Sequence, residues 1–145
     1  LGDELKKVRR ELEKALAPDL EVELGKLRAA TVAHAGAHAV VFERPGLQVK
    51  DAQELLKRAQ KALEPLCAVV LSVVDGEVHI VVTVSSALLG RVKAGDLVKQ
   101  LAGLLGGGGG GRPEAAQGKG KDVARLPEAR AAAEAAIRAA GLLPS

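Results

Sequence analysis

The chain has 145 residues, of which 27% are charged and 48% apolar, and its formal net charge is +3. These values are typical of one folded domain with a short appendage, and they exclude both a disordered chain and two full-sized domains. The sequence has no apolar run long enough to span a membrane, no secretory signal pattern and a single cysteine, so we expect a cytoplasmic protein.

Residues 1–31 are predicted to form an amphipathic helical arm. Leu5, Val8 and Leu12 follow one another at the spacing of coiled-coil core positions, with mostly charged residues between them. A proline then interrupts the pattern, and Asp19 is a candidate cap for a second helical stretch. The seam of about two heptads is too short to be stable alone. It would therefore serve dimerisation through these three residues, or pack onto its own domain.

Residues 32–145 are predicted to form a small globular α/β domain with a mixed sheet. Its predicted elements are, in chain order, a strand over 37–44, a helix capped by Asp51, strands over 67–74 and 77–85, a helix over 93–105, a glycine run over 106–111 and a last helix over 127–140. The Asp-Gly pair between the second and third strands predicts a two-residue hairpin. The second strand is apolar almost throughout, which predicts a central position buried on both faces.

The positive charge is concentrated in one segment. Residues 90–125 hold seven lysines and arginines against three acidic residues, whereas the rest of the chain is nearly neutral. The same segment holds 11 of the 17 glycines. A cationic, glycine-rich segment is typical of a surface that binds an anion or a phosphate backbone. The alternative is a solvated loop whose lysines only maintain solubility.

The glycine run 106–111 is the main candidate binding feature. Glycine lets a backbone approach a ligand closely, and successive N–H groups can form an anion-binding nest. Arg112-Pro113-Glu114 has the pattern of a helix start, with proline at the first helical position. The glycine amides, a helix N-terminus and Arg112 would then meet at one place. A disordered linker is the alternative interpretation.

No catalytic or metal site is predicted. His34 and His38 have a four-residue spacing that suits metal binding on a helix, but no further ligand stands near them. Cys67 opens a buried strand without a base beside it and is interpreted as a structural thiol. Phe42 is the only aromatic residue, which excludes single-strand binding of the kinds that stack bases on several aromatic side chains.

Three stretches carry a recognisable pattern: RVKAGDLV at 91–98, four glycines followed by Arg112-Pro113, and Ala116-Gln117. Together with the order of the predicted elements, they resemble the extreme C-terminal domain of bacterial alanyl-tRNA synthetases, within the wider DHH-associated domain family. The resemblance covers essentially the full chain. Phosphodiesterase members of that family usually carry a histidine after the glycines. Arg112 stands there in this chain, which favours the synthetase branch.

The resemblance implies a tRNA-binding module with no active site or cofactor of its own. Aminoacylation and editing, with ATP, Mg and Zn, would belong to upstream domains of the parent ligase, which agrees with the absence of methionine at position 1. The module would grip the tRNA elbow, where the D and T loops meet, through a glycine-rich loop over 106–121. The expected tRNA contacts are Gly108, Gly109, Gly110, Gly111, Arg112, Gln117, Lys119, Lys121, Lys93 and Arg91.

The expected partners are therefore tRNA-Ala and the upstream domains of the same synthetase, with a homodimer through residues 1–31 as one option for the arm and no membrane contact. The main alternative is a dimerisation or scaffold domain that acts through the arm and has no direct role with RNA. A detached accessory domain of a phosphodiesterase would require a catalytic partner that this chain lacks.

Overall fold

The computed structural model describes residues 19–34 and 36–142. The predicted dimerisation residues Leu5, Val8 and Leu12 lie outside this part of the chain. Its elements, in chain order, are α1 (Leu20–Ala30), β1 (Val32–His34), β2 (Ala37–Glu43), α2 (Val49–Ala62), β3 (Leu66–Val74), β4 (Glu77–Val84), a 3₁₀ turn (Ser86–Leu88), α3 (Ala94–Leu104), β5 (Gly108–Gly111), β6 (Ala115–Gly120), a 3₁₀ turn (Val123–Arg125) and α4 (Leu126–Ala139).

The strands form one mixed sheet in the order β1-β2-β3-β4-β6-β5. Strands β2 and β3 are parallel, and the other neighbouring pairs are antiparallel. A parallel pair needs a crossover connection, and α2 supplies it. This mixed sheet with helices confirms the predicted α/β class. Residues 66–71 of β3 are fully buried, which confirms the predicted central strand.

Helices cover both faces of the sheet. Because successive strand residues point to opposite faces, Leu66, Ala68 and Val70 enter one apolar cluster, and the residues between them enter the other. The first cluster contains Leu27 of α1 and four residues of α2. The second contains the buried apolar residues of α3 and α4. The core is thus divided into two layers by the sheet.

Helix α1 is joined to the sheet by polar as well as apolar contacts. The Asp19 carboxylate accepts a hydrogen bond from the Glu21 N–H at 3.0 Å, which confirms Asp19 as the cap. Further along the helix, Leu27 is fully buried. The Glu23 carboxylate is also buried, and Arg44 Nε, just beyond β2, donates to it at 2.9 Å. An ion pair therefore connects α1 to the end of β2.

Two local predictions were wrong. Helix α2 begins at Val49, and Gln48 occupies the cap position, so Asp51 lies in the first turn and is not the cap. There its carboxylate still interacts favourably with the positive end of the helix dipole. The segment after the glycine run does not begin a helix: Arg112 lies in a turn, and a strand follows. That strand, β6, hydrogen-bonds to both β4 and β5, so pairing on two sides outweighs the local helix-start pattern.

Cys67 provides a test of the buried central strand. Burial raises the pKa of its thiol from 9.0 to about 12. At about pH 8 the thiol of the folded protein should react with an aromatic disulfide reagent far more slowly than the thiol of the unfolded chain, because only the thiolate is nucleophilic. Equal rates before and after unfolding in guanidinium would contradict this burial.

The same pKa shift predicts a pH dependence of stability. The folded protein holds the Cys67 proton more tightly than the unfolded chain, so the resulting stabilisation is complete below pH 9 and is lost as the pH rises towards 12. Over that range the wild type should lose stability relative to Cys67→Ala, measured by urea unfolding at each pH. A constant difference between the two proteins would contradict the raised pKa.

Candidate nucleic-acid interface

The glycine run forms one strand of a hairpin at the edge of the sheet. In the β5–β6 pair, Gly108 lies opposite Lys119 and Gly110 opposite Gln117. Gly109 lies between these two glycines and pairs with the residue between Gln117 and Lys119. Because side chains alternate between faces, Gly108, Gly110, Gln117 and Lys119 share the outer face, and the others share the inner face.

The inner face of the hairpin packs tightly against α3. A Cβ atom on Gly109 would lie 2.4 Å from the Cα of Gly118 and 2.8 Å from the Cγ1 of Val98. A Cβ atom on Gly120 would lie 2.2 Å from the Cβ of Leu105. These distances are far below a van der Waals contact, so close packing between the two strands and against α3 and its C-terminal cap already requires glycine at these positions.

The outer face is open. Within the described part of the chain, a Cβ atom on Gly108 would meet no atom within 4 Å, and one on Gly110 would meet only Lys99 Cε at 3.8 Å. Packing therefore does not require glycine at these two positions. The flat backbone that they leave is accessible to a ligand, and Gln117 and Lys119 project from the same face of the neighbouring strand.

The turn that carries Arg112 is held by backbone hydrogen bonds. The Arg112 N–H donates to the Ala115 carbonyl at 2.9 Å and closes the hairpin. The Ala94 N–H, at the start of α3, donates to the Pro113 carbonyl at 2.8 Å, and the Val84 N–H donates to the Glu114 carbonyl at 2.8 Å. Arg112 is thus an exposed cation on a turn whose backbone is connected to two neighbouring elements.

A cleft of about 810 Å³ separates the hairpin from α2. On the hairpin side it is lined by Gly110, Gly111, Arg112 and Gln117, all predicted contacts. Five polar residues of α2 line the opposite side, and they are Lys50, Gln53, Glu54, Lys57 and Gln60. The Gln53 amide donates to the Gln117 Oε1 and bridges the two sides. The α2 residues are not among the contacts predicted from the sequence. Their helical spacing indicates a polar face, but no local pattern connects that face to the hairpin.

The remaining predicted contacts lie around this cleft rather than in it. Lys119 extends from the outer face of the hairpin and forms an ion pair with Glu77, with Nζ and Oε2 3.8 Å apart, and its side chain is 65% exposed. Lys121 follows β6, and Arg91 and Lys93 precede α3; all three are exposed. Gly109 faces α3 instead of the open side.

The histidine pair has no geometry for a shared metal. His34 is in β1, where it pairs with Ala37 of β2, and His38 pairs with Ala33, so the two imidazoles lie on opposite faces. Across residues 19–34 and 36–142, no three His, Cys, Asp or Glu side chains are grouped for metal binding. Over the same residues, every helix is too short or too polar to cross a membrane.

The sequence pattern of the DHHA1 domain family matches residues 34–139. The alanine–tRNA ligase of Hydrogenovibrio crunogenus is 44% identical over 97 residues, which are 66% of this chain and 11% of that protein. The alanine–tRNA ligase of Stenotrophomonas maltophilia is 33% identical over 132 residues, 91% of this chain and 15% of that protein. The chain thus spans only a small part of the length of these relatives.

Solved structures share the fold. The C-Ala domain of Aquifex aeolicus alanyl-tRNA synthetase superposes with a TM-score of 0.65 at 21% identity, covering 73% of this chain and 96% of that domain. A DHH-domain protein described as a member of a ribosomal protein family superposes with a TM-score of 0.58 at 16% identity, covering 91% of this chain and 32% of that protein. The family match, the ligase relatives and the fold of the C-Ala domain together confirm the resemblance to the C-terminal domain of alanyl-tRNA synthetases. The chain belongs to the DHHA1 domain family.

Proposed function

We propose that this chain is the tRNA-binding C-terminal module of an alanyl-tRNA synthetase and grips the elbow of the tRNA. The relatives named alanine–tRNA ligases, of which the chain spans 11–15%, support this assignment. Aminoacylation and editing, together with ATP, Mg and Zn, belong in this proposal to other domains of the parent enzyme in the cytoplasm. The module contributes affinity and orientation for the tRNA.

The observation that carries the proposal is the open glycine face of the β5–β6 hairpin. The tRNA elbow presents a flat outermost base pair framed by phosphates, without a single strand to thread. Backbone at Gly108 and Gly110 has no Cβ atom to hold such a pair away, and Arg112 and Lys119 flank this backbone. Close contact and phosphate binding then need no aromatic side chains.

The two cations have different environments. Arg112 has a planar guanidinium that can bind a phosphate through two donors or stack on a base. Lys119 is paired with Glu77, but an exposed ion pair is weak and a phosphate can replace the carboxylate. In this proposal Arg112 contacts a phosphate or the plane of a base of the tRNA, and Lys119 contacts the phosphate backbone of the tRNA.

The double substitution Arg112→Ala with Lys119→Ala tests this assignment. Binding to an intact tRNA should weaken by about tenfold or more at moderate salt, and the slope of log affinity against log salt should fall by about 0.7–0.9 for each lost phosphate contact. Filter binding over a salt series measures both quantities. An acceptor-stem minihelix, which lacks the elbow, should bind the wild type weakly.

The matched control is Arg28→Ala with Lys61→Ala, which removes two exposed cations outside the cleft and the hairpin. It should retain affinity and slope close to those of the wild type. Equal losses in the two variants, or equal binding of the minihelix and the intact tRNA, would indicate a nonspecific cationic surface. No loss in the Arg112 and Lys119 variant, with unchanged circular dichroism, would overturn the assignment of these residues.

A further inference from the structure

The cleft between α2 and the β5–β6 hairpin has the dimensions of a binding site. Its volume of about 810 Å³ lies within the range of pockets that enclose small organic ligands, roughly 300–1,000 Å³. Its floor consists of short side chains and bare backbone, with Val81 and Thr83 of β4, Ala115 of β6 and Gly110 of β5. A planar ring can lie on such a floor without displacing a long side chain.

The lining of the cleft is positively charged. Lys50 and Lys57 project from α2 on one side, and Arg112 stands on the other. Among residues 19–34 and 36–142, none of these three cations has an ion-pair partner. Of the described residues that line the cleft, Glu54 alone carries a carboxylate, and Arg58 Nε lies 3.5 Å from its Oε1. The cleft therefore favours an anionic occupant.

Polar amides accompany these charges. Gln53 and Gln117 hydrogen-bond to each other across the cleft, and Gln60 lies 3.4 Å from the hydroxyl of Thr83. Each amide offers donors and an acceptor, the combination that base edges also present. An occupant with both phosphates and base edges can replace the exposed Gln53–Gln117 hydrogen bond with bonds to the donors and the acceptors of both amides. A simple anion can use only the cations and the amide N–H donors, and leaves the amide carbonyls without a partner.

We propose that the tRNA enters this cleft, and that Lys50 and Lys57 of α2 bind its phosphates from the side opposite Arg112. The inference rests on the proposed function and adds α2 as a second wall of the RNA-binding surface. The base-bearing side of the RNA lies on the floor of the cleft, and the amides of Gln53 and Gln117 contact base edges.

The experiment compares tRNA binding by four forms of the chain: wild type, Lys50→Ala with Lys57→Ala, the conservative Lys50→Arg with Lys57→Arg, and the control Arg28→Ala with Lys61→Ala. Lys61 is a matched lysine because it is exposed on the same helix but does not line the cleft. The alanine pair should lose about tenfold in affinity, and its salt slope should fall by about 1.4–1.8. The arginine pair should keep both values near the wild type.

The outcomes separate this inference from the proposed function. If the wild type does not bind intact tRNA, the proposed function fails. If Arg112→Ala with Lys119→Ala weakens binding while the Lys50 and Lys57 variant matches the control, the hairpin binds RNA without α2, and the inference is overturned. An equal loss in the control would also overturn it, because α2 would then be only a diffuse cationic surface. All variants replace exposed residues, and circular dichroism checks their folding.

Discussion

Gly109→Ala is expected to lower the free energy of unfolding by about 3 kcal/mol, the upper range for overpacking a close contact. The new Cβ atom would lie 2.4 Å from the Gly118 Cα and 2.8 Å from the Val98 Cγ1. The first neighbour is backbone of the paired strand β6 and the second is a side chain of α3, so relief requires β5 to shift relative to both. Urea unfolding, followed by circular dichroism, measures the loss.

The matched control is Gly108→Ala, one residue earlier in the same strand. The added Cβ atom would meet no described atom within 4 Å. Alanine also has less conformational entropy than glycine in the unfolded chain, so less entropy is lost on folding. Its stability should lie within about 0.5 kcal/mol of the wild type or above it. Similar losses in both variants would show that the hairpin does not pack on α3 as described.

Arg44→Met is expected to lower the free energy of unfolding by about 2–3 kcal/mol, somewhat below the roughly 3–5 kcal/mol typical of breaking a buried pair from one side. The side chain of Glu23 is only 4% exposed, and Arg44 Nε donates to it at 2.9 Å. Without the guanidinium, the one remaining cation beside the buried carboxylate, among the residues that the structure describes, is Lys26, whose Nζ lies 3.8 Å away. We expect less than the typical loss because Arg44 is 36% exposed, so water reaches the site.

A double-mutant cycle isolates the contribution of this pair. Glu23→Gln with Arg44→Met removes both charges, so the double variant should be more stable than the sum of the two single losses predicts, by about 1 kcal/mol or more. Urea unfolding of the four proteins at one pH supplies the cycle. Additive losses would show that the two side chains do not stabilise each other in the folded protein.

Much of the fold could be predicted because its signals are local. The Asp75-Gly76 hairpin is the clearest case: both residues have positive φ, at 53° and 75°, as the predicted turn requires. The buried strand β3 was predicted from its continuous apolar residues, and α3 was predicted from apolar residues at helical spacing. In each case the pattern lies within about ten neighbouring residues.

The β5–β6 hairpin could not be predicted in this way. Glycines and the segment from Ala115 to Gly120 have little strand propensity, and the Arg112-Pro113 sequence favoured a helix start. The strand conformation of β6 depends on pairing with β4, more than thirty residues earlier in the chain, and the glycines of β5 pair with β6 in turn. The glycines also permit α3 to approach the hairpin closely, a contact that no local pattern contains.

Three properties of this protein follow from its amino-acid order without any coordinates: the class of the fold, the concentration of cations and glycines in residues 90–125, and the family resemblance. Which glycines face α3 and which face solvent emerges only in the folded chain, because that division depends on the register of β5 against β6. Folding also places Lys50 and Lys57 opposite Arg112. Composition and periodicity are local properties, whereas a cleft forms where distant segments meet through sheet pairing and helix packing.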